Sequence, residues 1–325
     1  DEIYHVRTAY EHYLGEKPYE ITHPPLGKLI IMCGIAIWGL NPFGWRFMGT
    51  LFGVLLIPLL YVFIKNIFGK RKVAIFGTLL LAFDFMRYTQ TRLATIDTYT
   101  VFFILLMYLF MFRWITNDYD APEKKHLPSL ILSGLFFGIG VCCKWQCLYA
   151  GAGLAIIYSI YLIKRCLWRK RNGIPYAKEL FDILLISLLF FIIVPVILYS
   201  LCYIPYAVGG QNFSLDIVID NQKYMFNYHS GVTATHSYGS RWWQWILDLR
   251  PILYYLQTPQ DGYRSSFAAF GNPVLYWGGL LALICIAVRF FRHRDGRIAF
   301  IIIGWAAQIL PWIFISRVSF AYHYF

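Results

Sequence analysis

Long apolar runs, each bounded by polar turns or clusters of basic residues, set the rhythm of this chain. Residues 45–64, 99–115, 148–163, 180–204, 274–288 and 298–315 each supply most or all of an apolar segment of the roughly 20 residues a helix needs to cross a bilayer. Residues 73–85 and 127–143 are shorter, and tilt or flanking residues complete them. Residues 27–40 are too short to cross and read as a re-entrant or interfacial helix. The pattern predicts an all-α polytopic membrane protein with about eight transmembrane helices in a single domain. Within residues 1–325, an outer loop with interfacial helices (1–44) leads into a helical bundle (45–204). A large outer loop (205–272) and two last helices with an outer tail (273–325) follow.

Composition agrees with the bilayer as solvent. Hydrophobic residues make up 58% of the chain and charged ones only 14%, against about 25% charged in an ordinary soluble domain. The net charge of +12 would point to nucleic acid in a soluble protein. Here the charges report topology instead. Four clusters (Lys65, Lys70, Arg71 and Lys72; Arg113, Lys124 and Lys125; Lys164, Arg165, Arg169, Lys170, Arg171 and Lys178; Arg289, Arg292, Arg294 and Arg297) alternate with the spans. Placed in the cytoplasm, they put residues 1–25, the turns 92–97 and 144–146, the loop 205–272 and the tail from Arg317 outside. No nucleic-acid partner is expected. The seven cysteines show neither metal nor disulfide-framework spacing and read as small buried hydrophobes. The chain opens without an initiator Met or a leading apolar span and stops just past an apolar helix, so both ends read as cut.

Polar groups at the outer ends of spans need a reason. Asp1 and Glu2 are adjacent carboxylates before a helical stretch. They either cap it or supply a general base for a hydroxyl proton. His23 and Lys28 fall in the hexamer HPPLGK, whose prolines fix an extended entry and then start a helix. Lys28 either snorkels or faces a lipid phosphate near the free N–H groups of that helix start. Arg92 and Asp97 flank a turn between spans, where an ion pair closing the turn competes with a functional role. Lys144 interrupts an apolar stretch as a hairpin or as a second outer cation. His236, Arg241 and Trp242 sit in the large loop with hydrogen-bonding neighbours, and Arg317 and His323 form one more outer cluster. Such sets suit a sugar, whose faces are apolar and edges hydroxylated, or simply an interfacial belt. His5, His12 and His23 are spaced by 7 and 11 residues, which matches no standard zinc pattern. No metal or other cofactor is expected, although a divalent ion on loose oxygen ligands stays open.

These stretches in this order resemble the protein O-mannosyltransferase family, of the GT-C class of membrane glycosyltransferases. The resemblance rests on Asp1-Glu2, HPPLGK at 23–28, RLATID at 92–97, Lys144-Trp145, HSYGSRWWQW at 236–245 and RVSFAYHYF at 317–325. It implies a GT-C fold. It also implies transfer, with inversion, of a sugar (usually mannose) from a dolichyl- or polyprenyl-phosphate to a Ser or Thr hydroxyl of a protein, on the extracytoplasmic face. Asp1 would be the base, with Glu2 orienting the acceptor or tuning it. His23 and Lys28 would fall on the donor side. Lys28 is the first candidate cation for the donor phosphate, with Lys144, Arg241 and Arg317 behind it. Arg92, Asp97, His236, Trp242 and His323 would shape the cavity. The loop 205–272 is too short for the β-trefoil insertion of eukaryotic members, so a bacterial or archaeal plasma membrane is expected. Transfer of another sugar, such as aminoarabinose, to a lipid, and a noncatalytic subunit that binds lipid-linked sugar, remain alternatives.

Overall fold

The computed structural model describes residues 2–121, 126–258 and 262–325. Helix α1 (Glu2–Leu14) and α2 (Leu26–Trp38) lead into α3 (Pro42–Phe68). Asn41 starts α3 by accepting from Phe43 and Gly44 N–H, and Gly69 ends it in the left-handed region. The chain continues through α4 (Arg71–Ala82), α5 (Phe85–Gln90), α6 (Asp97–Ile115), α7 (Leu127–Cys143) and α8 (Gln146–Arg171). Next come α9 (Ala177–Leu188) and α10 (Val194–Leu201), then α11 (Leu215–Gly231) and α12 (Trp242–Ile246). A β-hairpin of β1 (Ile252–Gln257) and β2 (Ser265–Ala269) precedes α13 (Pro273–His293) and α14 (Gly296–Ile309).

Among the described residues, six helical stretches are long and apolar enough to cross a membrane: Pro42–Phe68, Asp97–Ile115, Gln146–Arg171, Ala177–Tyr206, Pro273–His293 and Gly296–Ile313. Helix α7, with 17 residues, and α4, with 12, are the shorter members of the expected set. Helix α2 has 13 residues, about 20 Å at 1.5 Å per residue, which falls short of the hydrocarbon core.

Three local features depart from the sequence reading. The short span expected over 73–85 and its flanking residues is broken. Asp84 accepts from Arg87 N–H at 2.8 Å to start α5 afresh, and its other oxygen accepts from Asn272 N–H at 3.0 Å. The stretch 177–206 contains a π-helical turn, Leu189–Ile193, just before Pro195. Proline offers no N–H to the α-helical ladder, and a π turn accommodates the gap. The large outer loop carries two helices and an antiparallel hairpin in place of irregular chain, with a bulge between Leu253 and Tyr255.

Helix α6 is the hub. Met107, Tyr108, Met111, Phe112 and Trp114 pack with Leu130, Leu154, Ile157, Tyr161 and Phe300 from α7, α8 and α14. Polar groups in this apolar layer are paired, as burial demands: Tyr108 donates to Ala150 O at 3.0 Å and Ser133 to Met107 O at 2.8 Å. At the end assigned to the cytoplasm, Arg165 and Arg169 share Glu179 at 2.6 and 2.5 Å and also donate to Ala121 O. They fasten α8 to α9 and to the α6–α7 connection. Lys124 and Lys125, placed in this basic face from sequence, lie outside the described residues.

Candidate functional site

The polar constellation gathers at the opposite end, where α1, the 15–25 loop, the turn before α6, the α7–α8 turn, α11 and the C-terminal tail converge. Asp1 lies outside the described residues. Glu2 is held by a two-pronged ion pair: Arg46 Nε and Nη2 donate to its two oxygens at 2.7 Å each, and Ala94 N–H donates at 3.0 Å. Burial alone would raise the Glu2 pKa, but the Arg46 and Ala94 hydrogen bonds outweigh it and hold the carboxylate ionised. Glu2 thus ties the start of α1 to α3 and to the 92–96 turn.

Lys28 corrects the sequence reading. Expected to face a phosphate, its ammonium is fully buried and donates to Glu20 Oε2 at 2.8 Å, Glu20 O at 2.7 Å and His23 O at 3.0 Å. An ammonium has three donors, so none remains for a ligand. The two prolines turn the chain so that α2 feeds its first-turn lysine back under the loop. Glu20 also accepts from Thr22 N–H at 2.7 Å and lies 3.3 Å from His23 Nδ1 and 3.6 Å from His5 Nδ1. Burial pushes its carboxyl up. The hydrogen bonds of His23 and His5 and the charge of Lys28 push harder, and leave it well below the usual carboxylate range. Burial brings His23 down to about 4, against the pull of Glu20, so its ring is neutral near pH 7.

The turn residues are also paired differently. Asp97 meets Lys144 at 2.6 Å, both largely buried, while Arg92 is exposed and stacks over Tyr88 with its guanidinium carbon 3.7 Å from the ring centre. The Arg92–Asp97 ion pair, one of the two readings the turn offered, does not form.

Two adjoining cavities open here. The first, about 550 Å³, is lined by Thr22, His23, Pro24, Lys144, Trp145, Gln146, Phe226, His229, Trp312 and Arg317 among others. The second, about 330 Å³, is lined by Ser240, Arg241, Trp242, Trp243, Trp245 and Ser319. Trp312, Ile315, Ser316 and Arg317 belong to both. A third space of about 510 Å³ between α13 and α14 shares Gln146 with the first. Of the predicted residues, His23, Lys144 and Arg317 come together on the first cavity, and Arg241 and Trp242 join Arg317 on the second. His323 is buried, with its ring 4.4 Å from Trp312 and 5.7 Å from Trp245. Burial keeps it neutral. His236 is exposed, accepts from Tyr238 N–H at 3.1 Å, and lines neither cavity.

Glu20, Arg46 and His229 escaped the sequence reading. Glu20 precedes HPPLGK by three residues, and its spacing of eight from Lys28 carries no helical signal. His229 Nε2 lies 2.8 Å from Thr22 O, and its ring stands 5.4 Å from that of His23. Its long-range partner hides it in sequence. Among the described residues, no group of three or more His, Cys, Asp or Glu side chains is placed to hold a metal ion.

A multi-pass helical bundle with a charged, tryptophan-lined double cavity at one end defines a polytopic membrane protein with a polar site at one face. The chain belongs to the protein O-mannosyltransferase family. Residues 39–208 match the family model for dolichyl-phosphate-mannose-protein mannosyltransferase, and 213–325 match that for the C-terminal four-transmembrane region of protein O-mannosyltransferase. A polyprenol-phosphate-mannose–protein mannosyltransferase from Mycobacterium tuberculosis is 27% identical over 90% of this chain and 64% of its own length, and one from Corynebacterium glutamicum is 24% identical over 90% and 65%. The chain therefore spans just under two thirds of these relatives. The yeast protein O-mannosyltransferase Pmt1-Pmt2 complex bound to the sugar donor superposes with a TM-score of 0.81 at 12% identity, over all of this chain and 79% of that one. ArnT from Cupriavidus metallidurans gives 0.63 at 13%, over all of this chain and 52% of that one. At such identities these structures establish the fold alone.

Proposed function

We propose that this chain carries out inverting transfer of mannose from a polyprenyl phosphate to a Ser or Thr hydroxyl of a protein, on the extracytoplasmic face. The observation that carries the reading is Arg317. It is half-buried in the wall shared by the two cavities, and no hydrogen bond or ion pair engages its guanidinium among the described residues. A buried-edge cation without a partner is poised for an anion. In this reading the donor phosphate enters the larger cavity between Arg317 and Lys144. The polyprenyl tail runs into the space between α13 and α14 that Gln146 joins to it. The sugar lies against Trp145 and the neutral His23–His229 pair, and the acceptor approaches from the tryptophan-lined side.

Asp1 takes the hydroxyl proton, the oxygen attacks the anomeric carbon opposite the phosphate, and the polyprenyl phosphate leaves with the bonding pair. Fixed cations stabilise the charge that develops there, often the largest catalytic contribution. Lys28 serves this chemistry indirectly, by holding the HPPLGK loop. The test is sugar transfer by the protein in nanodiscs, from polyprenyl-phosphate-mannose to a Ser/Thr-rich peptide. Activity that collapses in Asp1→Asn while donor binding persists supports the reading. Equal activity in the variant, or none in the folded wild type, overturns it.

A further inference from the structure

The tryptophan-lined cavity has the chemistry of a sugar site in its own right. It encloses about 330 Å³, at the small end of the roughly 300–1,000 Å³ range of ligand pockets, so it suits one sugar ring and not a longer glycan. Trp242 and Trp243 supply aromatic surface, and Trp243 is 43% exposed. Trp312 stands in the wall shared with the larger cavity and is only 5% exposed, and its indole N–H has no hydrogen-bond partner among the described residues. A buried donor left unpaired carries a penalty that an incoming oxygen relieves. Ser240 is fixed from two sides: its N–H donates to Ser319 O at 2.8 Å, and its hydroxyl accepts from Trp245 Nε1 at 2.8 Å. A hydroxyl has one proton of its own to donate, and that of Ser240 has no acceptor among the described residues. Indole surface matches the apolar C–H face of a sugar, and these donors match its hydroxyls. An anion alone would leave the tryptophans idle.

We propose that this second cavity binds a mannose already attached to the acceptor, so that the enzyme favours segments it has modified once. The inference rests on the transfer reading above and names the acceptors that reading prefers. There the donor sugar lies in the larger cavity against Trp145, which leaves the smaller cavity for a different sugar. The two cavities share Trp312, Ile315, Ser316 and Arg317. A mannose held in one and a hydroxyl presented to the other therefore belong to residues close together in the acceptor. Each transfer creates the group that recruits the next, and mannose accumulates in clusters along a Ser/Thr-rich segment instead of scattering.

The experiment uses the protein in nanodiscs with polyprenyl-phosphate-mannose and two peptides. One peptide carries a single O-mannosyl threonine near a free threonine. Its twin carries O-methyl threonine at the first position, so each offers one free hydroxyl. The acceptor KM of the mannosylated peptide should be about tenfold lower, as one aromatic contact and one recovered hydrogen bond imply. The preference should fade as the spacing between the two threonines grows. Trp243→Ala should bring the two KM values together, and Trp243→Phe should keep part of the difference. Arg241→Gln, a second exposed position in the same wall, should narrow it as well, and melts confirm that each variant is folded. Transfer to both peptides with equal KM overturns the inference and leaves the transfer reading standing. A preference that survives Trp243→Ala in full also overturns it, because the attached sugar is then read elsewhere. No transfer to either peptide by the folded protein overturns the transfer reading, and the inference falls with it.

Discussion

The Lys28 ammonium sits 2.8 Å from the Glu20 carboxylate, and neither residue lines the outer cavities. The pair works under the floor of the site, where it closes the loop that delivers His23. Removing one partner of a buried pair strands the other charge, at a cost of about 3–5 kcal/mol. Lys28→Met and Glu20→Gln should each lower the melting temperature in detergent markedly. The combined Lys28→Met/Glu20→Met variant should be less impaired than the sum of the single variants. Donor affinity of whatever folded protein remains should change little, and thermal melts with donor titrations check both.

Arg317→Gln should act in the opposite manner. A hydrogen bond to a charged group contributes about 1.5–3 kcal/mol, so the donor KM should rise roughly tenfold to a hundredfold. The melting temperature should hold, because no protein partner is lost. Steady-state kinetics with varied donor, beside a melt, separates the two effects.

Arg46→Lys tests the hold on Glu2. Lysine cannot reproduce the two parallel N–H donors of the guanidinium. Transfer should fall about tenfold or more, as one charged hydrogen bond implies. Arg46→Ala should fall at least as far. Turnover rates at saturating donor give the comparison.

Stability should decline on acidification. Burial holds His23 at about 4, and burial with the Lys28 charge holds His12 at about 4. A histidine whose folded pKa lies below its unfolded value of about 6.5 contributes stability that is intact above pH 6.5 and is lost as pH falls toward 4. Glu20, with its carboxyl depressed, contributes in the same sense below the ordinary carboxylate range. Melting temperatures between pH 7.5 and 4.5 should drop steadily below 6.5, and His12→Gln should flatten part of that slope.

Gly53→Leu should disturb the turn before α6 directly. Even a Cβ at Gly53 would overlap the Thr91 side chain. Overpacking of this kind costs about 1–3 kcal/mol. A lower melting temperature, with Gly53→Ala milder than Gly53→Leu, is the expected result.

The spans, their order and the side on which the polar groups gather could be read from the chain, because hydropathy and basic clusters are local signals of bilayer and cytoplasm. Pairing could not. Arg92 is the nearby cation for Asp97 in sequence, yet Lys144 takes the contact from 47 residues away. Arg92 has an exposed position and an aromatic ring one helical turn before it. Lys28 was legible as a charge at a helix start but not as a buried one, since Glu20 reaches it only through the fold of the intervening prolines. The β-hairpin was obscured because β1, ILYYLQ, is apolar and aromatic without clean alternation and carries a bulge.

Arg317 stands in the one stretch of wall common to both cavities. In the proposed reading, that makes the charge on the acceptor side a function of what occupies the donor side. Before donor arrives, the tryptophan-lined space holds two guanidiniums, Arg241 and Arg317. Once a phosphate engages Arg317, that space loses half of its positive charge. Acidic acceptor segments would therefore bind the empty enzyme more tightly than the loaded one and compete with donor loading. Neutral Ser/Thr-rich segments would be indifferent to order. The protein would sort its substrates by charge without dedicating a single residue to that task.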